Sequence, residues 1–405
     1  MSVANKKVAM IIERIDIALG GAERSVFELA AALSTLGLEV DILAAKGQTN
    51  AKNIHILCQD TPGKRTCYFT FAKALKKHLS ENHYDIIHSI LPFDFADVYQ
   101  PRAGCFAESV LRNAASYQNK IIELYKRITA FANFRRDILL RAERKLCKDS
   151  NGPVIAALSS YIAEQFKKHY DIDDDRIVVV PNGVKTNKEI DADRADKLRS
   201  QILAELGLKE ADNPVLFLFA ANNFRFKGLA CLIKAMQLVS PNITERKSYL
   251  IVAGNGKTHK YRRLAKKLNV HKKIIFLGAV RHIQNALSII DVAVLPTFYD
   301  PSSRFVLEAL AAGKPVITTK FNGAVDLFVN DRHGKVIDRA ENVPALAQAI
   351  SFFTDTNNIR KASQAIVADN LEEKVSVGRV AAQLIPVYES ICRKASLTGL
   401  EKRGQ

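Results

Sequence analysis

The chain has 405 residues, 48% of them hydrophobic, and a formal net charge of +17 at pH 7. That length exceeds what one core usually serves, so two domains are expected, and the charge points to an anionic partner: nucleotide, nucleic acid or membrane face. Six cysteines (Cys58, Cys67, Cys105, Cys147, Cys231, Cys392) lie scattered without a CxxC pair, which argues against a disulfide framework or a structural zinc site and for a reducing compartment.

From the amino end, Val8-Ala9-Met10-Ile11-Ile12 reads as a first strand, because Glu13 and Arg14 end the apolar run before it reaches the length of a secretion signal. Gly20-Gly21 follows after a loop and opens a helix near Ala22, with Arg24 in its first turn. Paired glycines let the backbone approach a ligand and the helix N-terminus favours an anion. GxGxxG is not matched, and a plain loop is the alternative.

Further strand candidates in the first half are Glu39 to Ala44, Asp85 to Ser89, Val154 to Ala157 and Ile177 to Val180. Between Arg102 and Lys148 stand 11 Lys or Arg against 4 Asp or Glu. Within that stretch Ile121, Leu124, Ile128 and Phe131 recur at helical spacing, surrounded by Lys120, Lys126, Arg127, Arg135 and Arg136. Such a helix either lies on anionic lipid or packs its stripe on its own domain. The acid run Asp171-Ile172-Asp173-Asp174-Asp175 reads as a solvated loop rather than a metal site.

Val180-Pro181-Asn182-Gly183-Val184 carries a turn signal, and the charged stretch Lys185 to Arg199 looks like surface, so the domain junction is placed there: 1–182, then 183–376. A second series of strands follows at Val215 to Ala220, Tyr249 to Ala253, Ile274 to Leu277, Val292 to Leu295, Pro315 to Thr318 and Gly334 to Ile337. A last helix around Val377 to Lys394, with Pro386 inside, is expected to cross back onto the first domain, and residues 395–405 to form a mobile tail. Alternating strands and helices predict an α/β chain of two Rossmann-like, doubly wound domains facing a cleft. No apolar run approaches a membrane span. No RNA-reading, zinc-finger or basic-zipper pattern is present, which disfavours nucleic acid.

The loops after the second set of strands carry the chemistry. Asn222-Asn223-Phe224-Arg225-Phe226-Lys227-Gly228 offers Arg225 as a fork and Lys227 as a point charge for a diphosphate. Gly254-Asn255-Gly256 and Gly278-Ala279-Val280 end the next two strands. Tyr299-Asp300-Pro301 then predicts a helix with Asp300 as N-cap, Pro301 as first residue and Gly313 as terminator. Glu308 is its only acid on an apolar body, so it requires a partner, either a structural Arg or Lys or a ligand. Two helical turns, about 12 Å, separate it from Asp300. That is too long for a carboxylate pair acting on one bond and suits an extended ligand held at two points.

Together, Gly20-Gly21, Pro181-Asn182-Gly183-Val184, Arg225 with Lys227-Gly228, Gly254-Asn255-Gly256, Gly278, the acidic motif and Ala312-Gly313-Lys314-Pro315-Val316 resemble the family-four retaining glycosyltransferases of GT-B fold. The resemblance implies that Asp300 holds donor-sugar hydroxyls, Glu308 the nucleotide ribose, and Arg225 with Lys227 the diphosphate. Backbone around Ser303, Arg304, Phe305 and Val306 would bind phosphate, with Gly254 nearby and Gly278 to Val280 by the base. Asp300 replaces the usual Glu and is one methylene shorter, and Ser303 stands where Gly is common. Arg24, Arg102 and Gly104 are the acceptor or sugar contacts expected in the first domain, where His88 falls on a strand.

Within the family the likeness is to lipopolysaccharide core glucosyltransferases. It implies UDP-glucose as co-substrate, no further cofactor or metal, and a glycolipid or polysaccharide acceptor. It also implies a cytoplasmic protein on the inner membrane face, touching anionic lipid through residues 102–148. A nicotinamide oxidoreductase would need the third glycine this chain lacks. A non-catalytic peripheral membrane protein would explain the charge without the donor loops.

Overall fold

A computed structural model describes residues 5–16, 21–61, 66–186, 189–239 and 246–401. The apolar runs become two parallel sheets. In the first, β1 (Lys7–Arg14), β2 (Glu39–Lys46), β3 (Ile54–Ile56), β4 (Ile86–Ser89), β5 (Val98–Tyr99), β6 (Val154–Ala157) and β7 (Ile177–Val179) lie in the order β3-β2-β1-β4-β5-β6-β7. In the second, β8 (Val215–Ala220), β9 (Ser248–Ala253), β10 (Ile274–Gly278), β11 (Val292–Leu295), β12 (Val316–Thr319) and β13 (Gly334–Ile337) lie in the order β10-β9-β8-β11-β12-β13. Strand order reverses between β1 and β4 in one sheet and between β8 and β11 in the other. Open parallel sheets bind ligands outside the carboxyl ends at such points.

Central strands are apolar on both faces because helices cover both. Val8, Met10 and Ile12 of β1 pack with Leu29 and Leu33 of helix Gly21–Thr35, whereas Ala9 and Ile11 point to the opposite cluster with Phe71, Leu75 and Phe93. The first cluster is completed from the far end of the chain by Val380, Ala381, Leu384 and Tyr388 of helix Val377–Glu401. That helix contains Pro386 and continues to Glu401, into the stretch from 395 expected to be a tail; residues 402–405 lie outside the described ones.

Two compact units divide the chain. One gathers the residues up to Leu111, Tyr125–Val184 and those from Val377 onward; the other gathers Arg112–Leu124 and Lys185–Ser376. The segment Arg112–Leu124, expected with the first domain, therefore groups with the second unit. Helix Lys120–Ile128 buries none of its side chains: Ile121 is 81% exposed, Leu124 60% and Ile128 58%. Its stripe is thus not used as core; Phe131, the fourth member, has its side chain outside the described residues. Among the described residues no helix is long and apolar enough to cross a membrane. The acid run lies in a loop and a short turn, where Asp174 pairs with Lys167 at 2.5 Å.

Candidate active site

The acidic motif sits beyond β11, but its helix starts later than the sequence suggested. The observed helix is Arg304–Ala311 with Ser303 at the N-cap, so Asp300 and Pro301 belong to the preceding loop. The reason is tertiary: the Asp300 N–H donates to the Phe321 carbonyl at 2.9 Å and its own carbonyl accepts from Gly323 N–H, bonds to the β12 loop that hold it extended. The other end follows expectation. Gly313 adopts φ +69, with Gly313 N–H to Leu310 O at 3.0 Å and Lys314 N–H to Ala309 O at 2.9 Å, a Schellman arrangement. Glu308 finds a partner on its own helix, Arg304, at 3.3 Å.

Asn322 organises the turn into this helix and was not anticipated. It is fully buried; its Oδ1 accepts from Ser303 N–H at 3.2 Å and Ala324 N–H at 3.1 Å, and its Nδ2 donates to Thr318 Oγ1 at 3.0 Å. Buried Thr297 and Thr319 continue the scaffold, Thr319 Oγ1 donating to Thr297 O at 2.6 Å. Only one sequence signal marked these positions, polar residues at the ends of apolar strands, because buried polar groups are hydrogen-bonded.

Lys227 Nζ meets Asp300 Oδ2 at 2.6 Å and the Tyr299 carbonyl at 3.0 Å. The main chains of the two loops are joined as well, Phe298 N–H to Phe226 O at 3.0 Å. These are the loops that flank the reversal of strand order between β8 and β11. Arg225 is turned elsewhere: it donates to Asn113 O at 3.0 Å and to Ser116 Oγ, and stacks 3.9 Å from the Tyr117 ring centroid. Nearby, Arg112 stacks 3.7 Å from the Phe321 ring centroid. Of the four charged groups, Lys227 and Asp300 are brought into contact, Arg304 is added to Glu308, and Arg225 is held by residues 113–117.

The glycine loops join the same carboxyl edge. Gly254 N–H donates to the Gly278 carbonyl at 2.7 Å, and Asn255 N–H reaches Asn222 Oδ1 at 3.4 Å. Gly254 has φ +132 and a Cβ there would strike the Ala221 carbonyl, so glycine is required both by conformation and by space. Gly278 has φ +74 with open space around its missing Cβ. Val280 is half-buried just beyond it. Ser303, Phe305 and Val306 are buried. The first-turn amides of helix Arg304–Ala311 have no intrahelical acceptor by the geometry of any helix, which makes this edge attractive to anions.

Two sequence-family models match the chain: "Glycosyl transferases group 1" over residues 205–366 and "Glycosyltransferase Family 4" over residues 19–188. Together they span most of it. The chain is a family-four glycosyltransferase. The glycosyltransferase is similar to the lipopolysaccharide glucosyltransferase WaaG of Escherichia coli K12, 22% identical over 78% of this chain and 82% of WaaG. It is 26% identical to the D-inositol 3-phosphate glycosyltransferase of Corynebacterium glutamicum over 64% of this chain and 63% of that one. Its fold is GT-B. A crystal structure of WaaG superposes with a TM-score of 0.72, at 21% identity, over 93% of this chain and 99% of that one. HepE from Anabaena, solved with UDP and glucose, superposes with a TM-score of 0.66, at 16% identity, over 95% and 100% of the two chains.

In the first unit of this glycosyltransferase, Gly20 lies outside the described residues, Gly21 begins helix Gly21–Thr35, and Arg24 pairs with Glu28 at 3.5 Å. Arg102 donates to Asn182 Oδ1 at 2.7 Å and Gln100 Oε1 at 2.8 Å, tying the Pro-Asn-Gly turn to the end of β5. Gly104, at φ +75, closes the next turn by donating to Pro101 O at 2.8 Å. His88 is wholly buried, with Nδ1 2.6 Å from Tyr388 Oη. Burial and then the Arg102 charge push its pKa down to about 3, so it is a neutral core group. The sequence also gave no sign of Glu143, fully buried and accepting from Tyr99 Oη at 2.9 Å, Tyr170 Oη at 2.7 Å and Phe106 N–H at 2.8 Å. Burial pushes its pKa up to about 7 against those hydrogen bonds.

Proposed function

We propose that the protein moves a hexose, glucose in our reading, from UDP-glucose to a glycolipid or polysaccharide acceptor such as lipopolysaccharide core, with retention at the anomeric carbon and without a metal ion. The contact of Lys227 with Asp300 at the strand-order reversal carries this reading. When the donor enters, Lys227 exchanges Asp300 for the diphosphate, and Asp300 takes sugar hydroxyls. Arg225 leaves Asn113 and Ser116 to add a second cation to the leaving group, the first-turn amides of Arg304 to Val306 hold phosphate, Glu308 holds the ribose, and Gly278 to Val280 border the base. The bond from the anomeric carbon to the phosphate oxygen breaks, the bond to the acceptor oxygen forms on the same face, and the departing phosphate oxygen takes the acceptor proton.

Solved HepE, of the same fold, holds UDP and glucose, which supports the donor class. Arg24 and Gly104 are assigned to the acceptor side, with Arg102 acting there through its bonds to Gln100 and Asn182. The exposed stripe of helix Lys120–Ile128 supports contact of the 102–148 segment with an anionic membrane surface, on the cytoplasmic face. All six cysteines are free thiols, in keeping with a reducing compartment.

The test is transfer itself. Purified protein, UDP-glucose and a truncated lipopolysaccharide core should yield a product whose new linkage, read by proton NMR, keeps the α configuration of the donor. An inverted linkage would refute retention, and absence of both transfer and donor hydrolysis across nucleotide sugars would refute the enzyme reading.

A further inference from the structure

Between Arg246 and Ile290 the chain contains no Asp or Glu, while nine Lys or Arg fall between Lys257 and Arg281. The fold concentrates them. Helix His259–Lys267 places His259, Arg262, Arg263 and Lys266 on one face, and with His271, Ile274 and Phe276 they line a groove of about 430 Å³ along edge strand β10. The Arg262 guanidinium lies 4.6 Å from the centroid of the Phe276 ring, which forms part of the wall. Lys257, Lys260, Arg262, Arg263, Lys266, Lys267, Lys272 and Arg281 are exposed and Lys273 half-exposed. None of these nine is paired with a carboxylate among the described residues, whereas Arg199, Arg246 and Arg332 of the same unit each have one. Like charges gathered without counter-charges repel, so this face is unfavourable for stability and suited to an external anion.

We infer that this face of the second unit docks on the phosphate headgroups of an anionic phospholipid bilayer. Arg262, Arg263 and Lys266 take one headgroup phosphate in the groove, and the surrounding lysines meet its neighbours. A bilayer offers further phosphates to the exposed lysines of the same helix, Lys260 and Lys267, beside the three cations of the groove, while a single soluble anion would use those three alone. No exposed large hydrophobic side chain lies in this stretch, so the contact is electrostatic adsorption without insertion. Single-stranded nucleic acid would require exposed rings for base stacking, but Tyr261 is buried and Phe276 is covered by Arg262. The inference does not depend on the proposed transfer reaction, and Arg262, Arg263 and Lys266 lie outside the donor loops.

The experiment is vesicle co-sedimentation with phosphatidylcholine alone and with added phosphatidylglycerol. Replacing Arg262, Arg263 and Lys266 together by Gln should weaken binding to the anionic vesicles by about 100-fold, leave the melting temperature unchanged, and leave the weak binding to neutral vesicles as it was. Raising salt until the screening length falls from about 10 Å to about 3 Å should abolish the difference. Because the 102–148 segment is itself proposed to touch membrane, the triple replacement is repeated in an Ile121→Ser/Leu124→Ser background, where it should lower the remaining binding by a similar factor. Undiminished binding of the triple variant to anionic vesicles in both backgrounds would overturn the inference. So would retained vesicle binding with loss of affinity for inorganic pyrophosphate, which would make the groove a site for a soluble anion.

Discussion

Lys227 and Asp300 are 73 residues apart in sequence and 2.6 Å apart in space, on neighbouring loops of one sheet edge. Their side chains are 20% and 13% exposed, so the pair is largely but not fully withdrawn from water. Each neutralises the other in the free protein, and under the proposed function each would turn to an opposite charge or hydroxyl on the donor. A cation prepositioned beside its acid needs little reorganisation as charge develops on a leaving diphosphate.

Lys227→Ala should therefore lower kcat with UDP-glucose by about 10²-fold or more, with a smaller effect on KM, if the cation acts chiefly in the transition state. The thermal stability cost should be about 1 to 3 kcal/mol, between that of a surface pair and a fully buried one, since Asp300 is left largely buried without its cation. Steady-state kinetics and a melting curve on the same preparation separate the two. Near-normal turnover would remove Lys227 from the leaving-group role.

Gly254 and Gly278 share a hydrogen bond yet should respond differently to alanine. At Gly254 the new Cβ meets the Ala221 carbonyl at a left-handed φ of +132, so Gly254→Ala should cost on the order of 2 to 5 kcal/mol and abolish donor binding. At Gly278, φ is +74 but the space is open, and Gly278→Ala should cost only about 1 to 2 kcal/mol. Denaturant midpoints and calorimetric binding of UDP would show the ordering.

Glu143 gives a pH signature. Its folded pKa of about 7 lies above the ordinary 4.5, so between those values the folded state holds more protons than the unfolded one. Its contribution to stability is complete below pH 4.5 and falls as pH rises through 7, by an amount on the order of 3 kcal/mol. His88, depressed from 6.5 to about 3, acts oppositely: its contribution is present above 6.5 and is lost as pH falls toward 3. Glu143→Gln should therefore be more stable relative to the parent at pH 7 than at pH 5, the difference between the two urea-unfolding profiles isolating the carboxyl. A flat difference would show that Glu143 is not protonated by burial.

Helix Lys120–Ile128 supplies the fourth test. Replacing Ile121, Leu124 and Ile128 by Ser exposes no core, because all three are already in solvent, so the melting temperature should hold. Binding to anionic vesicles should weaken by at least about 10-fold, given the apolar area those side chains would insert. Unchanged binding would assign the stripe to another partner.

Most strands were readable because a strand buried on both faces is a short apolar run with few alternatives: β6, β8, β11 and β13 match residue for residue. β3 and β5, three and two residues long, are too short to carry a period, and their neighbours in the sheet define them. The loops proposed to hold the donor stood out as glycines and charges at strand ends. What was not legible came from distant residues. Asp300 looked like an N-cap until the Phe321 carbonyl took its amide, and Arg225 looked free until Asn113, Ser116 and Tyr117 took its guanidinium. Local spacing contains neither partner.

The bond between His88 and Tyr388 joins positions 300 residues apart, and both belong to the first unit. On the ribosome, β4 emerges long before the helix that covers its face. At about 5 to 20 residues per second, the wait is roughly 15 to 60 s, during which the whole second unit is synthesised. The unit begun first is thus the one completed last. A message truncated after Ser376 would release a finished second unit attached to a sheet with one greasy side only partly covered, a species for chaperones and proteases rather than for catalysis.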